Sequence, residues 1–103
     1  MKIECNCGHV ISDGGDALAH KGHVIPDASW FPLMDAIDDV LLKRCQTATQ
    51  RDAACMRLRE LLVRASRQGW QCGACGRLYM DDGHRALNSY VPDGQATKTL
   101  FAP

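Results

Sequence analysis

Four cysteines in two compact pairs are the residues of this 103-residue chain whose types and spacing could do chemistry. The first pair is Cys5-Asn6-Cys7 and the second is Cys72-Gly73-Ala74-Cys75, and a glycine, Gly8 or Gly76, follows each pair. Paired cysteines that bracket a tight turn are typical of structural Zn²⁺ sites. Glycine after the second cysteine tolerates the positive φ that such a turn needs. We therefore predict that Cys5, Cys7, Cys72 and Cys75 bind one Zn²⁺.

The two motifs resemble the metal-binding turns, or knuckles, of zinc-ribbon and rubredoxin-like proteins. Two features depart from that pattern. The first pair is C-x-C where C-x-x-C is usual, and the gap from Cys7 to Cys72 far exceeds the usual ~15–20 residues. The resemblance covers only the residues around the two pairs and identifies no particular protein. It implies a small β-sheet, a zinc ribbon, that carries the metal.

Two histidines, His9 and His84, are rival ligands. A Cys-Cys-Cys-His site would form if the first pair supplied one sulfur and His9 supplied the remaining ligand. Residue 9 begins the strand that leaves the knuckle, however, so its side chain should point away from the metal. We favour the four-thiolate site, which has no open position for water and is therefore structural rather than catalytic. The cysteine pattern does not distinguish zinc from iron in the isolated protein.

The composition is that of a folded protein outside a membrane. Hydrophobic residues make up 46% of the chain and charged residues 23%. No apolar run reaches the ~18 residues of a membrane span, and the first residues lack the apolar core of a signal peptide. We expect a cytoplasmic protein of bacterial or phage type, where thiols stay reduced. Cys45 and Cys55 are then expected to be buried free thiols.

The sequence GHVI occurs twice, in GHVISD at 8–13 and in GHVIPD at 22–27. The second copy lacks the cysteines, so it predicts a second strand and not a second metal site. Valine and isoleucine favour strands, and the glycines and aspartates around them favour turns. We expect the two copies to form a pair of short antiparallel strands. His20 and His23 lack the neighbours that would complete another ligand set.

Between the knuckles the apolar period changes from two to 3.6, which predicts helices. The predicted apolar faces are Trp30, Met34, Ile37, Leu41, Cys45 and Ala48 in one helix, and Cys55, Leu58, Leu62 and Ala65 in another. One continuous helix over residues 32–66 would be about 52 Å long and would have little to pack against. We therefore expect a helical hairpin with its turn near residues 46–50.

The predicted fold class is α+β: a small zinc-ribbon β-sheet with a helical hairpin inserted between the two knuckles at about residues 30–67. The whole chain, 1–103, is expected to form a single domain. Strands over residues 70–80, interrupted by the second knuckle, and over residues 86–91 complete the sheet.

Asp81, Asp82 and His84 lie between these last two strands. They could form a carboxylate–histidine catalytic site, but a hairpin turn built on Asp-Gly uses the same residues, and no nucleophile or third ligand accompanies them. No glycine-rich phosphate loop, serine elbow or HExxH helix occurs. We expect a turn, and a protein that is not an enzyme.

Charge is unevenly distributed along a chain of zero net charge. Residues 1–42 are acidic and residues 43–80 are basic. An antiparallel hairpin would place Asp35, Asp38 and Asp39 near Arg57, Arg59 and Arg64, so we expect ion pairs between the two helices.

We expect a protein–protein interaction module, of the inhibitor or immunity-protein kind, that binds another protein or a second copy of itself. Met56 and Val63 lie seven residues apart, on the side of the second helix away from Leu58 and Leu62. Together with Arg59 and Glu60 they predict an exposed partner-binding strip. Packing of the strip against the ribbon is the alternative.

Nucleic-acid binding by the arginine-rich second helix is the other functional hypothesis. The arginines concerned are Arg51, Arg57, Arg59, Arg64, Arg67, Arg77 and Arg85. The zero net charge and the small number of aromatic residues argue against it, because nucleic-acid surfaces are basic and often stack bases on aromatic rings.

Overall fold

The structure, a computed structural model, describes all 103 residues and contains six strands and two helices. These are β1 Lys2–Glu4, β2 Val10–Ser12, β3 Lys21–Val24, α1 Asp27–Lys43, α2 Ala48–Ala65, β4 Arg67–Gln71, β5 Leu78–Asp81 and β6 Leu87–Tyr90. The α+β class and the helical hairpin between the strands are confirmed. The chain divides into a sheet unit, Met1–Val24 with Gln68–Pro103, and a helical unit, Ile25–Arg67. That the two fold as one domain stays a prediction.

The sheet unit contains two sheets, and each includes an antiparallel pair of strands that a knuckle joins. β1 pairs with β2, with Ile3 opposite Ile11, and a four-stranded sheet has the order β3-β4-β5-β6. The β4–β5 pairing places Trp70 opposite Tyr79. The buried core of this unit consists of Ile3, Cys5, Ile11, Trp70, Cys72 and Tyr79. Two of the predicted metal ligands are therefore core residues.

The two GHVI copies do not pair with each other, so that expectation is wrong. The first copy supplies β2, which pairs with β1, whereas the second supplies β3, which lies beside β4 in the other sheet. The tight first knuckle folds β2 back on β1, the strand just before it, so this pair forms locally, whereas β3 lies beside β4. The N–H of Gln71 donates to the carbonyl of His20 at 2.8 Å, next to the β3–β4 pair.

In the helical unit, α1 and α2 contact each other and are joined by a short loop. The loop comes slightly earlier than predicted because Thr47 caps α2. The hydroxyl of Thr47 accepts from the Gln50 N–H at 3.1 Å, and the Gln50 side chain accepts from the Thr47 N–H at 3.1 Å. This reciprocal capping box satisfies two backbone donors at the helix start. Neither helix has the length and apolar character that a membrane-spanning helix requires.

The inner faces of the helices differ from the predicted ones by about one residue. The buried residues are Leu33 and Val40 of α1 and Ala54 of α2. Trp30 and Leu41, which were expected to be central, are 43% and 49% exposed. Apolar residues cover such a wide arc of α1 that the 3.6-residue period predicts a helix without fixing the centre of its buried side.

Ion pairs in the helical unit form within each helix rather than between helices. Lys43 pairs with Asp39 at 2.8 Å, and Glu60 pairs with Arg57 at 3.2 Å and with Arg64 at 2.7 Å. Spacings of three and four residues bring these partners together on one helix surface, whatever the helix packs against. The expected pairs between α1 and α2 are absent, so that prediction is wrong.

The C-terminal segment is held against the sheet by one buried side chain. The Gln71 amide nitrogen donates to the carbonyl of Thr97 at 2.8 Å, and its oxygen accepts from the N–H of Leu100 at 2.7 Å. The Phe101 ring then lies over Gly22 and Gly69, where a methyl group on either glycine would meet neighbouring side chains, the ring among them. Glycine on these two strands therefore makes room for the ring.

We predict that Gly22→Ala lowers the free energy of unfolding by about 1–3 kcal/mol, because the added methyl group would overlap the Phe101 ring. Adding Phe101→Ala should remove most of the further cost of Gly22→Ala in a double-mutant cycle, since the ring is then gone. Denaturant unfolding of the metal-loaded protein measures both. Gly14→Ala is the control, because its methyl group would lie at an ordinary 3.5 Å from the Ser12 Oγ. Equal costs at positions 14 and 22 would contradict the packing described for Phe101.

Candidate metal centre

The first knuckle joins β1 to β2. The N–H of Cys5 donates to the carbonyl of His9 at 2.9 Å, and the N–H of Gly8 donates to the carbonyl of Cys5 at 2.9 Å. Gly8 has φ +94°, a conformation that disfavours any residue with a Cβ atom. These bonds turn the chain within four residues and present both cysteine sulfurs on one side of the turn.

The second knuckle joins β4 to β5 and follows the same plan. The N–H of Cys72 donates to the carbonyl of Arg77 at 2.9 Å, the N–H of Gly76 donates to the carbonyl of Cys72 at 2.8 Å, and Gly76 has φ +82°. The second turn is one residue longer than the first. The C-x-C spacing is thus a shortened version of the C-x-x-C turn, with the glycine in the equivalent place.

The two knuckles bring four sulfurs together. The Sγ atoms of Cys5 and Cys75 are 3.5 Å apart, those of Cys7 and Cys72 are 3.6 Å apart, and all four lie within 4.8 Å of one another. A tetrahedral Zn²⁺ with Zn–S bonds of about 2.3 Å requires sulfurs about 3.8 Å apart. The cluster therefore fits a four-thiolate metal site. A tetrahedral set of sulfurs suits zinc or iron, and it leaves no ligand position for water.

The pKa values of the thiols show why a cation would stabilise the cluster. Burial raises the pKa of Cys5, but donors that include the Cys7 backbone and the Tyr79 hydroxyl outweigh burial and lower that pKa to about 6. The backbone at His9 lowers the pKa of Cys7, but loss of solvent and the neighbouring sulfurs raise it to about 11. Without a metal, negative charge is thus favoured on Cys5 and disfavoured on Cys7. A metal that binds four thiolates must displace the remaining protons, so its affinity should fall as pH falls.

Tyr79 is the residue of this site that the sequence analysis missed. Its hydroxyl interacts with the Cys5 thiol, and this interaction, more than burial, raises the pKa of Tyr79. The same oxygen accepts from the backbone N–H of Asn6 at 3.3 Å. Tyr79 therefore links β5 of the second knuckle to the turn of the first. Its position on a strand next to the second knuckle was the available signal, but a strand tyrosine is common without a metal nearby.

The remaining candidate residues supply no ligand atom to the cluster of sulfurs. The metal-binding cluster contains neither His9 nor His84. Asp81 and Asp82 form the β5–β6 turn: an Asp81 oxygen accepts from the Gly83 N–H at 2.8 Å, and an Asp82 oxygen accepts from the N–H groups of His84 at 2.7 Å and Ala86 at 3.3 Å. The bond from the His84 N–H is the main reason that the pKa of Asp82 is lowered. These carboxylates serve the turn that the Asp-Gly sequence predicted.

In α2, the four residues of the predicted partner strip have different surroundings. Met56 is 66% and Val63 is 74% exposed. Glu60 is engaged by Arg57 and Arg64 of its own helix, whereas Arg59 has no ion-pair partner. The structure thus places two apolar side chains and one unpaired cation at the surface, and partner binding by them stays a prediction.

Comparison with known proteins gives one match. Residues 1–94 match the model of a family described as Domain of unknown function (DUF8617), and this span includes both knuckles and the helical hairpin. No curated protein and no solved structure matches the chain.

We predict that the purified protein contains one metal ion per chain and that Cys7→Ser or Cys72→Ser releases it and unfolds the sheet unit. Loss of a ligand removes binding free energy, which in small metal-stabilised domains is folding free energy. Elemental analysis identifies the metal, and circular dichroism follows the fold. His9→Ala and His84→Ala are the matched controls and should keep the full metal content. Metal loss in His9→Ala, or a folded protein without metal, would contradict the four-thiolate site.

Tyr79→Phe should weaken metal binding about 10–100-fold without unfolding the metal-loaded protein, because the hydroxyl orients a ligand and does not bind the metal itself. Competition with a chelator of known affinity measures the change. Tyr90→Phe is the control, since Tyr90 lies on the exposed strand β6. Equal affinities of Tyr79→Phe and the unmodified protein would show that the hydroxyl does not tune Cys5.

Proposed function

This chain belongs to the DUF8617 family, a domain of unknown function, and from that premise we propose that it is a small structural-zinc protein whose helical hairpin binds another protein. The metal has a structural role in this proposal, and the hairpin has the recognition role. The finer assignment, as an inhibitor or immunity protein that acts by occupying a partner's surface, belongs to the same proposal.

The structural role of the metal is supported by where the sulfurs lie. Cys5 and Cys72 are 4% and 0% exposed, and they pack with Ile3, Trp70 and Tyr79 in the core of the sheet unit. That core has few large side chains, so the unit depends on an added source of stability. A closed site with four protein ligands supplies stability and offers no position for a reacting water molecule.

The observation that carries the recognition role is the number of apolar side chains that the hairpin exposes. Only Leu33, Val40 and Ala54 are buried in the two helices. The exposed large apolar side chains of the helices are Trp30, Phe31, Leu41, Leu42, Met56, Leu62 and Val63. Apolar side chains gathered on one small unit in this way mark a surface that another protein covers. Phe31 and Leu42 point away from the seam on α1, and Met56 and Val63 point away from it on α2, so each helix carries an exposed apolar edge of its own.

The arginines of α2 support protein binding better than nucleic-acid binding. Arg57 and Arg64 share Glu60 as an ion-pair partner, which reduces their net attraction for phosphate. Each counterion-releasing phosphate contact needs a free cation, and the chain has no net charge to add long-range attraction. Nucleic-acid binding is therefore the competing outcome of the test below.

We predict that the metal-loaded protein captures a protein partner from native lysate and that Val63→Asp abolishes capture, because a carboxylate at a 74% exposed apolar position would be buried without a partner charge. Pull-down with mass spectrometry measures the partner. Thr49→Asp is the charge-matched control: it lies in the first turn of α2, where a negative charge is favourable, and should not affect capture. Two results would favour nucleic-acid binding instead. One is capture that nuclease treatment abolishes, and the other is submicromolar nucleic-acid binding that the double variant Arg57→Glu plus Arg64→Glu loses.

A further inference from the structure

The two helices of the hairpin carry the same pattern of exposed residues. In α1, Leu41 follows the buried Leu33 by eight residues, and in α2, Leu62 follows the buried Ala54 by eight residues. Eight residues rotate a side chain by about 80° around the helix axis from the inner seam. Because the helices of a hairpin run in opposite directions, equal rotations from their shared seam lead to the same side of the pair. Leu41 and Leu62 therefore lie on one face, which we call the apolar face.

The opposite side of the hairpin is polar. It carries all three ion pairs of the helices, which join Lys43 to Asp39 and Glu60 to Arg57 and Arg64. Its acidic and basic side chains thus already have partners within one chain. One side of the helix pair is therefore polar and the other is apolar, and only the apolar side lacks partners within the chain.

Opposite charges lie at equal rotations about the two helix axes, beside the apolar face. Asp38 follows Leu33 by five residues and Arg59 follows Ala54 by five residues, so both are rotated by about 140° from the seam. Both side chains are exposed and neither forms an ion pair. Apolar residues lie one turn away from each charge: Met34, Leu41 and Leu42 around Asp38, where the exposed Asp35 is also one turn away, and Cys55, Met56, Leu62 and Val63 around Arg59. Each helix thus has unpaired charge beside apolar side chains, acidic in α1 and basic in α2.

We propose that the partner of the apolar face is a second copy of this chain. The two hairpins form a four-helix arrangement around a two-fold axis parallel to the helices. This symmetry places α1 of each copy against α2 of the other. Asp38 lies five residues before the end of α1 and Arg59 lies eleven residues after the start of α2, so the two are about 9 Å apart along the helix direction, a gap toward which the long arginine side chain extends. The apolar residues that face the axis are buried together. The inference rests on the proposed function, protein binding through the hairpin, and names the partner.

The distribution of charge is the reason for choosing a second copy. α1 contains four aspartates and one lysine, whereas α2 contains four arginines and two acidic residues. A partner surface of one sign would meet a like charge at one of the two helices. In a dimer related by a two-fold axis, the acidic α1 of each copy faces the basic α2 of the other. Both helices then meet opposite charge, because the same contact occurs twice in an isologous interface. In this arrangement the apolar side chains supply most of the association free energy, and the charges select the orientation.

Charge reversal of the two residues tests this arrangement in the full-length, metal-loaded protein. Asp38→Arg and Arg59→Glu each place like charges opposite one another at both symmetry-related contacts, so each should weaken self-association at least tenfold. An equal mixture of the two variants should associate again, because every contact between unlike chains then joins opposite charges. Sedimentation equilibrium over a range of concentrations measures the dimer dissociation constant. Arg64→Glu is the control for charge reversal, because Arg64 lies on the polar side.

Three results would overturn the inference: an unmodified protein that is monomeric at all concentrations, single variants that still associate, or a mixture that stays dissociated. Circular dichroism and metal content show whether each variant is folded, so that unfolding is not mistaken for dissociation. The lysate pull-down separates this inference from the proposed function. A monomeric protein that still captures another protein through Val63 retains the function and loses the second-copy inference. A monomer that captures nothing loses both.

Discussion

The sheet unit depends on one geometric requirement: four sulfurs from distant parts of the chain must meet at a single point. Two knuckles of the same backbone plan meet it, each held by a bond from the glycine N–H to the first cysteine's carbonyl. Because Cys5 and Cys72 also belong to the buried core, the residues that would bind the metal are the residues that pack the sheets. On the structural-zinc proposal, folding and metal binding would therefore be linked in this unit.

Two polar side chains connect the cluster of cysteines to neighbouring segments of the sheet unit. The Tyr79 hydroxyl interacts with the Cys5 thiol and accepts from the backbone N–H of Asn6, which links β5 to the turn of the first knuckle. Gln71, beside Cys72 on β4, uses its amide to hold the second knuckle through the Gly76 carbonyl and the C-terminal segment through Thr97 and Leu100. A buried amide that satisfies both its donor and its acceptor stabilises without the penalty of an unpaired group.

The sequence predicted the local structure. It failed where the outcome depends on which of several distant segments a strand or side chain contacts. The knuckles, the Asp-Gly turn and the helices were predictable, because spacing and turn chemistry act over a few residues. The pairing of the GHVI copies was wrong, since two strands of similar sequence can each find another neighbour: β2 pairs with β1, and β3 lies beside β4. The expected ion pairs between helices were wrong for a related reason: Glu60 finds Arg57 and Arg64 within one helix turn. Tyr79 could not be predicted because its role exists only once two distant knuckles meet.

The place at which the hairpin is inserted explains how the cluster of cysteines tolerates a long insertion. The chain leaves the sheet unit after β3 and returns at β4, and these strands are neighbours in the sheet. The ends of the insertion are thus fixed at the spacing of adjacent strands, about 4.8 Å, whatever the length of chain between them. A long gap between Cys7 and Cys72 therefore costs the metal site nothing in geometry. The helices, with three buried side chains of their own, have the opposite problem, because so small a core contributes little stability to a hairpin. In the proposed function a partner would cover their exposed apolar side chains, whereas the sheet unit has a core of its own that includes Cys5 and Cys72.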